Sequence, residues 1–85
     1  MVKRYELIPT NGRKSFGGKA IILSYDDRRV LVSYGLPVAS IDNNGNFKKL
    51  DQYYSTTTMN HVNAFRESAR LTRLTRKEWE AIEVE

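Results

Sequence analysis

The side chains of this chain that could take part in chemistry are few, and His61 is the only histidine. A metal site usually needs several histidine, cysteine or carboxylate ligands, and the sequence near His61 does not supply them at a suitable spacing. General-base catalysis needs a nucleophile and an orienting partner within reach. The nearby hydroxyls, from Ser55 to Thr58, are better explained as helix caps. We therefore predict no catalytic residue, no metal site and no cofactor, and a small enzyme centred on His61 is the least supported alternative.

Basic and aromatic side chains provide a second kind of candidate, a surface for an acidic partner. Clustered positive charge attracts phosphate groups and acidic protein surfaces, and tyrosines interleaved with lysines can stack on the bases of a single-stranded nucleic acid. Tyrosine is also a common residue of half-buried strands. The residues that we predict to contact a partner protein or a nucleic acid are Lys48, Lys49, Tyr53, Tyr54, Arg66, Arg70, Arg73, Arg76 and Lys77.

The basic residues of this set differ in how well helix structure explains them. Arg66 and Arg70 fall near the end of a predicted helix, where a positive charge interacts favourably with the helix dipole. Arg76 and Lys77 fall in the first turn of a second predicted helix, where the same charge is unfavourable. The first pair therefore has a structural explanation that the second pair lacks.

Composition limits the class of protein. The chain has 85 residues, a formal net charge of +4 and no cysteine, so we expect a single domain over residues 1–85 without disulfides or thiolate-bound metal. No apolar run approaches the roughly 20 residues of a membrane span, and no signal-peptide pattern is recognisable. We expect a cytoplasmic protein that does not enter a membrane.

Alternating apolar residues and turn signals predict an antiparallel sheet. Residues 2–8, 20–25 and 29–34 have the composition of strands, and Asn43-Asn44-Gly45 is the strongest turn signal, joining residues 38–42 to 47–50. The apolar positions change face between Leu36 and Ala39, which predicts a β-bulge or bend near residues 35–37.

The second half of the chain predicts two helices. Ser55, Thr56 or Thr57 can cap the first helix, and its apolar stripe contains Met59, Val62, Phe65 and Ala69, with Asn60 and Asn63 elsewhere. Leu71 and Leu74 leave that stripe, so we predict a break within residues 69–72. Thr75 and Glu78 have the spacing of a capping box and Leu74 and Trp79 that of a hydrophobic staple, so a short helix begins at Thr75. The fold class is therefore α+β: an antiparallel sheet of three to four strands packed against one main helix, plus a short C-terminal helix.

Three segments resemble a family of small proteins from bacteriophages and mobile elements of Gram-positive bacteria. They are residues 33–39 (Ser-Tyr-Gly-Leu-Pro-Val-Ala), residues 54–65 (Tyr-Ser-Thr-Thr-Thr-Met-Asn-His-Val-Asn-Ala-Phe) and residues 77–79 (Lys-Glu-Trp). The resemblance runs from about Lys14 to Glu83. Leu36 stands where the family has threonine, and the cap contains an extra threonine.

This resemblance implies a context and brings no established activity or site residues. Small phage proteins without catalytic groups act by binding host defence complexes, polymerases or nucleic acid. The resemblance therefore implies a non-enzymatic binding protein in the host cell, of the anti-CRISPR type, that inhibits a host nucleoprotein complex such as a CRISPR effector. The alternative is a protein that binds nucleic acid directly through the basic and aromatic residues. We expect a monomer or a homodimer, in which the N-terminal strand could pair with a second copy.

Overall fold

The computed structural model describes residues 2–8, 16–52 and 55–85 of the chain. These residues form an α+β unit whose elements are β1 (Lys3–Glu6), β2 (Ala20–Ser24), β3 (Arg28–Ser33), β4 (Leu36–Asp42), β5 (Phe47–Lys49), α1 (Thr56–Ser68) and α2 (Arg76–Ala81). Tyr53 and Tyr54, which we predicted to contact a partner, lie outside the described residues.

The strands of the described chain form one antiparallel sheet in the order β1-β2-β3-β4-β5, so the predicted count of three to four strands was wrong. The missed feature is a two-residue hairpin turn between β3 and β4. Ser33 pairs with Leu36, and Tyr34 and Gly35 between them have φ angles of 52° and 80°. Two consecutive positive φ angles define a type I′ turn. Tyr-Gly lacks the asparagine or aspartate that usually signals this turn, so the pattern was interpreted as one extended segment with a bend.

A β-bulge is present as predicted, but it lies at Val38 of β4 and not at residues 35–37. Leu31 pairs with Ala39 but Val32 pairs with Pro37, so Val38 is the extra residue. Neighbouring side chains of a regular strand point to opposite faces. The bulge changes this locally, because Val38 and Ala39 are both completely buried.

The predicted turn between β4 and β5 is also confirmed. Gly45 has a φ angle of 84°, and the carboxylate of Asp42 accepts hydrogen bonds from the backbone N–H groups of Asn46 and Asn44 at 2.9 and 2.8 Å. These bonds, led by that from the backbone of Asn46, hold the pKa of Asp42 below its ordinary value. The turn therefore depends on an ionised carboxylate as well as on glycine.

Helix α1 begins where the hydroxyl cluster predicted it. Ser55 is the N-cap, and its Oγ accepts a hydrogen bond from the N–H of Thr58 at 3.0 Å. Met59, Val62 and Phe65 of the predicted stripe are buried, so this stripe faces the sheet. The same core cluster contains Leu7, Phe16, Ala20, Ile22, Leu31, Val38, Ala39, Ile41, Ala64 and Trp79.

Helix α1 ends at Ser68, just before the predicted break. The N–H of Leu71 donates to the carbonyl of Arg66 at 2.9 Å, and the N–H of Arg70 donates to that of Glu67 at 3.0 Å. These two bonds form a Schellman motif, whose left-handed residue is usually glycine. Here it is Arg70, with a φ angle of 63°. A side chain in this conformation costs roughly 1 kcal/mol.

Helix α2 begins with the predicted capping box. The N–H of Glu78 donates to the Oγ1 of Thr75 at 3.2 Å, and the N–H of Thr75 donates to the carboxylate of Glu78 at 2.9 Å. The second of these bonds is the main reason why the pKa of Glu78 lies below its ordinary value. Trp79 is completely buried, and Ile82 at the C-cap is half-buried.

After α2 the chain returns to the sheet. Val84 forms a parallel bridge with Lys49 of β5, and the N–H of Glu85 donates to the carbonyl of Lys49 at 2.8 Å. This short segment therefore covers the outer edge of β5.

Asn63, which lies outside the predicted stripe, fastens α1 to the segment before α2. Its Oδ1 accepts from the backbone N–H of Leu74 at 2.7 Å, and its Nδ2 donates to the carbonyl of Leu74 at 3.2 Å. Asn63 is buried. One side chain therefore satisfies both backbone groups of Leu74 and sets where α2 begins relative to α1.

We predict that Asn63→Ala lowers the free energy of unfolding by about 2 kcal/mol, because both backbone groups of Leu74 lose their partner in a partly buried place. Asn60→Ala is the matched control. Asn60 lies on the same helix and is half-buried, so its replacement should change this free energy by less than about 0.5 kcal/mol. Urea unfolding followed by circular dichroism measures both. Equal losses in the two variants would contradict the role of Asn63.

Candidate functional site

His61 is a core residue that belongs to a buried polar cluster. Its Nδ1 lies 2.8 Å from the Oγ of Ser33, which lies 3.2 Å from the Oγ1 of Thr58. A serine beside a histidine resembles a nucleophile beside a general base. However, both side chains are at most 2% exposed, so a substrate cannot reach the Ser33 hydroxyl while α1 is packed on β3. The cluster is a hydrogen-bonded part of the interface between α1 and β3.

The structure offers no metal centre and no membrane-spanning helix in the part of the chain that it describes. Over residues 2–8, 16–52 and 55–85, no three histidine, aspartate or glutamate side chains are grouped so that they could hold a metal ion. Neither α1 nor α2 has the length and apolar character that crossing a bilayer requires. The remaining candidates for a site are on the surface of the described residues.

The two lysines of β5 point to opposite faces of the sheet, as adjacent residues of a strand do. Lys48 is exposed, whereas Lys49 is 4% exposed. The Nζ of Lys49 donates to the carbonyl of Trp79 at 2.9 Å and lies 4.7 Å from the centre of the Trp79 ring. Lys49 therefore belongs to the core and not to a partner surface.

Arg66 is held by contacts within the chain. Its Nε donates to the carbonyl of Thr72 at 2.7 Å, and its guanidinium carbon lies 4.6 Å from the centre of the Phe47 ring. Partial burial lowers the pKa of Arg66, and the nearby charge of Glu78 opposes this shift. Arg66 therefore joins the end of α1 to β5 and to the segment that precedes α2.

Two other predicted arginines have carboxylate partners on the surface. Arg73 pairs with Glu67 at 2.5 Å, and Arg76 pairs with Glu80 at 2.8 Å. Exposed pairs of this kind contribute little to stability. They do reduce the positive charge that these arginines present to a partner.

Lys48, Arg70 and Lys77 are the exposed predicted residues that make no ion pair with any part of the described chain. They do not form one surface, because Lys48 is on the sheet face opposite α1 while Arg70 and Lys77 are in the helical layer. Residues 66–85 contain five basic and five acidic residues. The positive excess of the chain therefore lies in its sheet half.

The sheet face opposite α1 carries a groove that the helices do not cover. Alternation along β2 and β3 directs Ile21, Leu23 and Val32 to this face, and all three are half-buried. Ile21 and Val32 are direct cross-strand partners. We call this surface the open-face groove. It encloses about 420 Å³ and is lined by Arg4, Gly18, Lys19, Ile21, Leu23, Val32, Tyr34 and Gly35.

Two cations and one aromatic ring border the open-face groove. Arg4 projects from β1, and the Nζ of Lys19 lies 5.5 Å from the centre of the Tyr34 ring. Tyr34 is 52% exposed, and its N–H donates to the carbonyl of Lys19 at 2.9 Å. The carboxylate of Glu6 on β1 accepts a hydrogen bond from the N–H of Gly18 at 3.2 Å. The groove thus combines an aliphatic floor with a positively charged rim.

Our sequence analysis did not identify this groove, although one signal for it was present. Residues 20–25 and 29–34 are apolar at consecutive positions, so both faces of these strands carry apolar side chains. The single main helix that we predicted can cover only one face. An uncovered apolar face follows from these two observations together.

A protein-family model matches most of the chain that forms this fold. A model for DUF8033, described as a family of unknown function, matches residues 5–81. The chain belongs to this family. The matched region runs from within β1 to the end of α2, so it includes most of the groove-lining strands and both helices. The comparisons with curated proteins and with solved structures found no match.

We predict that Lys49→Ala lowers the free energy of unfolding by about 2–3 kcal/mol, because the carbonyl of Trp79 loses a donor and the lysine stem leaves a cavity. Lys48→Ala, the adjacent exposed lysine, should change it by less than about 0.5 kcal/mol. Chemical denaturation of both variants measures the difference. A Lys49→Ala variant as stable as the Lys48→Ala variant would show that Lys49 has no role in the core.

Proposed function

We propose that the protein is a non-enzymatic binding protein that recognises a segment of another protein in its open-face groove. The observation that carries this proposal is the uncovered apolar floor of Ile21, Leu23 and Val32 between the cations Arg4 and Lys19. These three side chains are half-buried, and a groove with an apolar floor and a few polar groups at its rim is the usual form of a binding site. A monomer gains no stability from leaving these side chains in contact with water.

The chemistry of the groove favours an apolar segment flanked by acidic residues. Its aliphatic floor can bury one or two apolar side chains, and its rim can pair with carboxylates. Tracking a nucleic acid needs a series of cations and stacking rings. The groove lining has two cations and one ring, that of Tyr34.

The class of target comes from the sequence resemblance described above. We infer a protein of phage or mobile-element origin that acts in the host cytoplasm on a host protein or nucleoprotein complex, such as a CRISPR effector. Such an inhibitor needs no catalytic group, because occupying a functional surface of the complex is sufficient. A basic-rimmed groove suits this role, because it is complementary in charge to an acidic segment of a host protein.

Tyr34→Asn tests the groove at a position where the turn tolerates the change. Asparagine followed by glycine is the preferred pair for a type I′ turn, so this gain should offset the loss of the Tyr34 ring, whose centre lies 5.6 Å from that of His61. A thermal melt of the variant checks that it folds. Lys19→Glu reverses one charge of the rim. Lys77→Glu is the matched control, because it makes the same charge change at an exposed lysine of α2.

We expect affinity capture from lysates of Gram-positive host cells to recover a specific protein with the wild type and with Lys77→Glu. Recovery should fall at least about tenfold with Tyr34→Asn combined with Lys19→Glu, because the removed groups contact the partner. Nuclease treatment should not change recovery. Equal recovery with the groove variant, or a partner lost only with Lys77→Glu, would overturn the groove as the site.

Direct nucleic-acid binding is the second candidate, and the conformation of Arg70 favours it. An exposed arginine in a left-handed conformation that suits glycine is strained, and contact with a phosphate would explain its presence. Lys77 provides a second exposed cation in the helical layer.

For this second candidate we expect a gel shift with single-stranded DNA or RNA at low salt. Two phosphate contacts give a slope of roughly −1.4 for the logarithm of affinity against the logarithm of salt concentration. Arg70→Gly keeps the Schellman motif, and together with Lys77→Glu it should abolish the shift, whereas Lys19→Glu should not. Failure of the wild type to shift either nucleic acid at low salt would exclude this candidate.

A further inference from the structure

The described residues cover the β5 edge of the sheet and leave the β1 edge uncovered. At β5, Val84 bridges to Lys49 and the N–H of Glu85 donates to the Lys49 carbonyl. At the opposite edge, β1 pairs with β2 and with no other strand of the described residues. An uncovered edge offers its N–H and C=O groups to a further strand.

The hydrogen bonds to β2 show which backbone groups of β1 point outward. The N–H of Leu7 donates to the carbonyl of Ala20 at 2.9 Å. Alternate residues of a strand direct their backbone groups to the same side. The backbone N–H and C=O groups of Tyr5 and Lys3 therefore also point to β2. The even-numbered residues of β1 and its flanks, from Val2 to Ile8, therefore direct their N–H and C=O groups away from β2.

The side chains along this edge protect it only in part. β1 is four residues long and carries Lys3, Arg4 and Glu6, and short strands and charged side chains commonly shield native edges. However, Val2, Tyr5 and Ile8 are 49%, 51% and 60% exposed. Three large apolar or aromatic side chains therefore accompany the charged residues along this edge.

We propose that β1 pairs antiparallel with β1 of a second copy of this chain, about a two-fold axis at Tyr5. In this register Arg4 lies opposite Glu6 of the second copy, and Glu6 lies opposite its Arg4. Val2 lies opposite Ile8 of the second copy, and the two Tyr5 side chains face each other. Opposite charges and aromatic pairs directly across two strands are stabilising. This inference does not depend on what binds the open-face groove.

The backbone geometry agrees with this register. Arg4 and Glu6 both point outward, so each pair exchanges two N–H···O bonds, and the Val2 and Ile8 pairs bring the total to about eight. Tyr5 then occupies a non-hydrogen-bonded pair, in which the side chains come closest. One carboxylate oxygen of Glu6 accepts from the N–H of Gly18, and the other oxygen faces Arg4 of the second copy.

The neighbouring registers are less favourable. Only even-numbered residues point outward, so a ladder about a two-fold axis has to place residues of the same parity opposite each other. An axis at Arg4 places two guanidinium groups together, and an axis at Glu6 places two carboxylates together. Like charges directly opposite destabilise a sheet. The axis at Tyr5 is the one in this strand that matches opposite charges.

Charge reversal tests the proposal by sedimentation equilibrium over roughly 10 μM to 1 mM chain. The wild type should dimerise. Arg4→Glu and Glu6→Arg should each raise the dimer dissociation constant at least about tenfold, because each creates two pairs of like charge. The double variant should restore the wild-type constant, and an equimolar mixture of the two single variants should form a heterodimer. Thermal melts of each variant confirm that the monomer is folded.

The absence of cysteine from the chain allows an independent test of the register. Tyr5→Cys places the new thiols opposite each other at a distance that suits a disulfide, so oxidation should give a covalent dimer. In the same register Ile8→Cys separates its thiols by roughly 20 Å, so after oxidation it should give no covalent dimer on a non-reducing gel. The proposal would be overturned by any of three results. The wild type could stay monomeric to about 1 mM, the single charge reversals could dimerise as tightly as the wild type, or the two cysteine variants could cross-link equally.

Discussion

A single helix has to cover a five-stranded sheet, and the rest of the structure follows from this constraint. Strands about 4.8 Å apart make a sheet roughly 20 Å wide, whereas a helix with its side chains is about 10 Å across. Helix α1 lies against β3, so the flanks are covered by other parts of the chain. Leu7 and Phe16 join the core cluster near β1 and β2, and Trp79 packs over β5. Neither helix of the described residues packs on the opposite face, where aliphatic side chains line the open-face groove.

Polar contacts position each piece that covers the sheet. They join Ser33 to His61, Asn63 to Leu74 and Lys49 to Trp79. Apolar packing tolerates small shifts, but a buried polar group that loses its partner costs about 1–3 kcal/mol. These contacts therefore favour one arrangement of α1 and α2 over other similarly packed ones. The indole nitrogen of Trp79, buried without a partner in the described part of the chain, shows that shape and the Lys49 contact hold this ring.

Local signals predicted local structure, and features that depend on distant contacts were missed. The caps at Ser55 and Thr75 were predictable because a hydroxyl and its backbone partner are three residues apart. The hairpin turn at Tyr34 was not predictable in this way. The tyrosine with positive φ has its ring 5.5 Å from the Nζ of Lys19, a residue that is distant in sequence. For the candidate site, net charge indicated basic segments. Charge alone cannot show which arginines are paired with carboxylates of the same fold, nor which side of β5 faces the helix.

The order of the strands also bears on how the chain acquires its fold. Each strand of the described sheet lies beside the next one along the chain, and the loops that join β2 to β3 and β3 to β4 have only three and two residues. Chains whose contacts join nearby residues fold quickly. The bridge between Val84 and Lys49 joins positions that are distant in sequence, so we expect it to form after the strands have paired. Its late formation would leave β5 briefly open to foreign strands, at the stage when a newly made chain is most prone to aggregate.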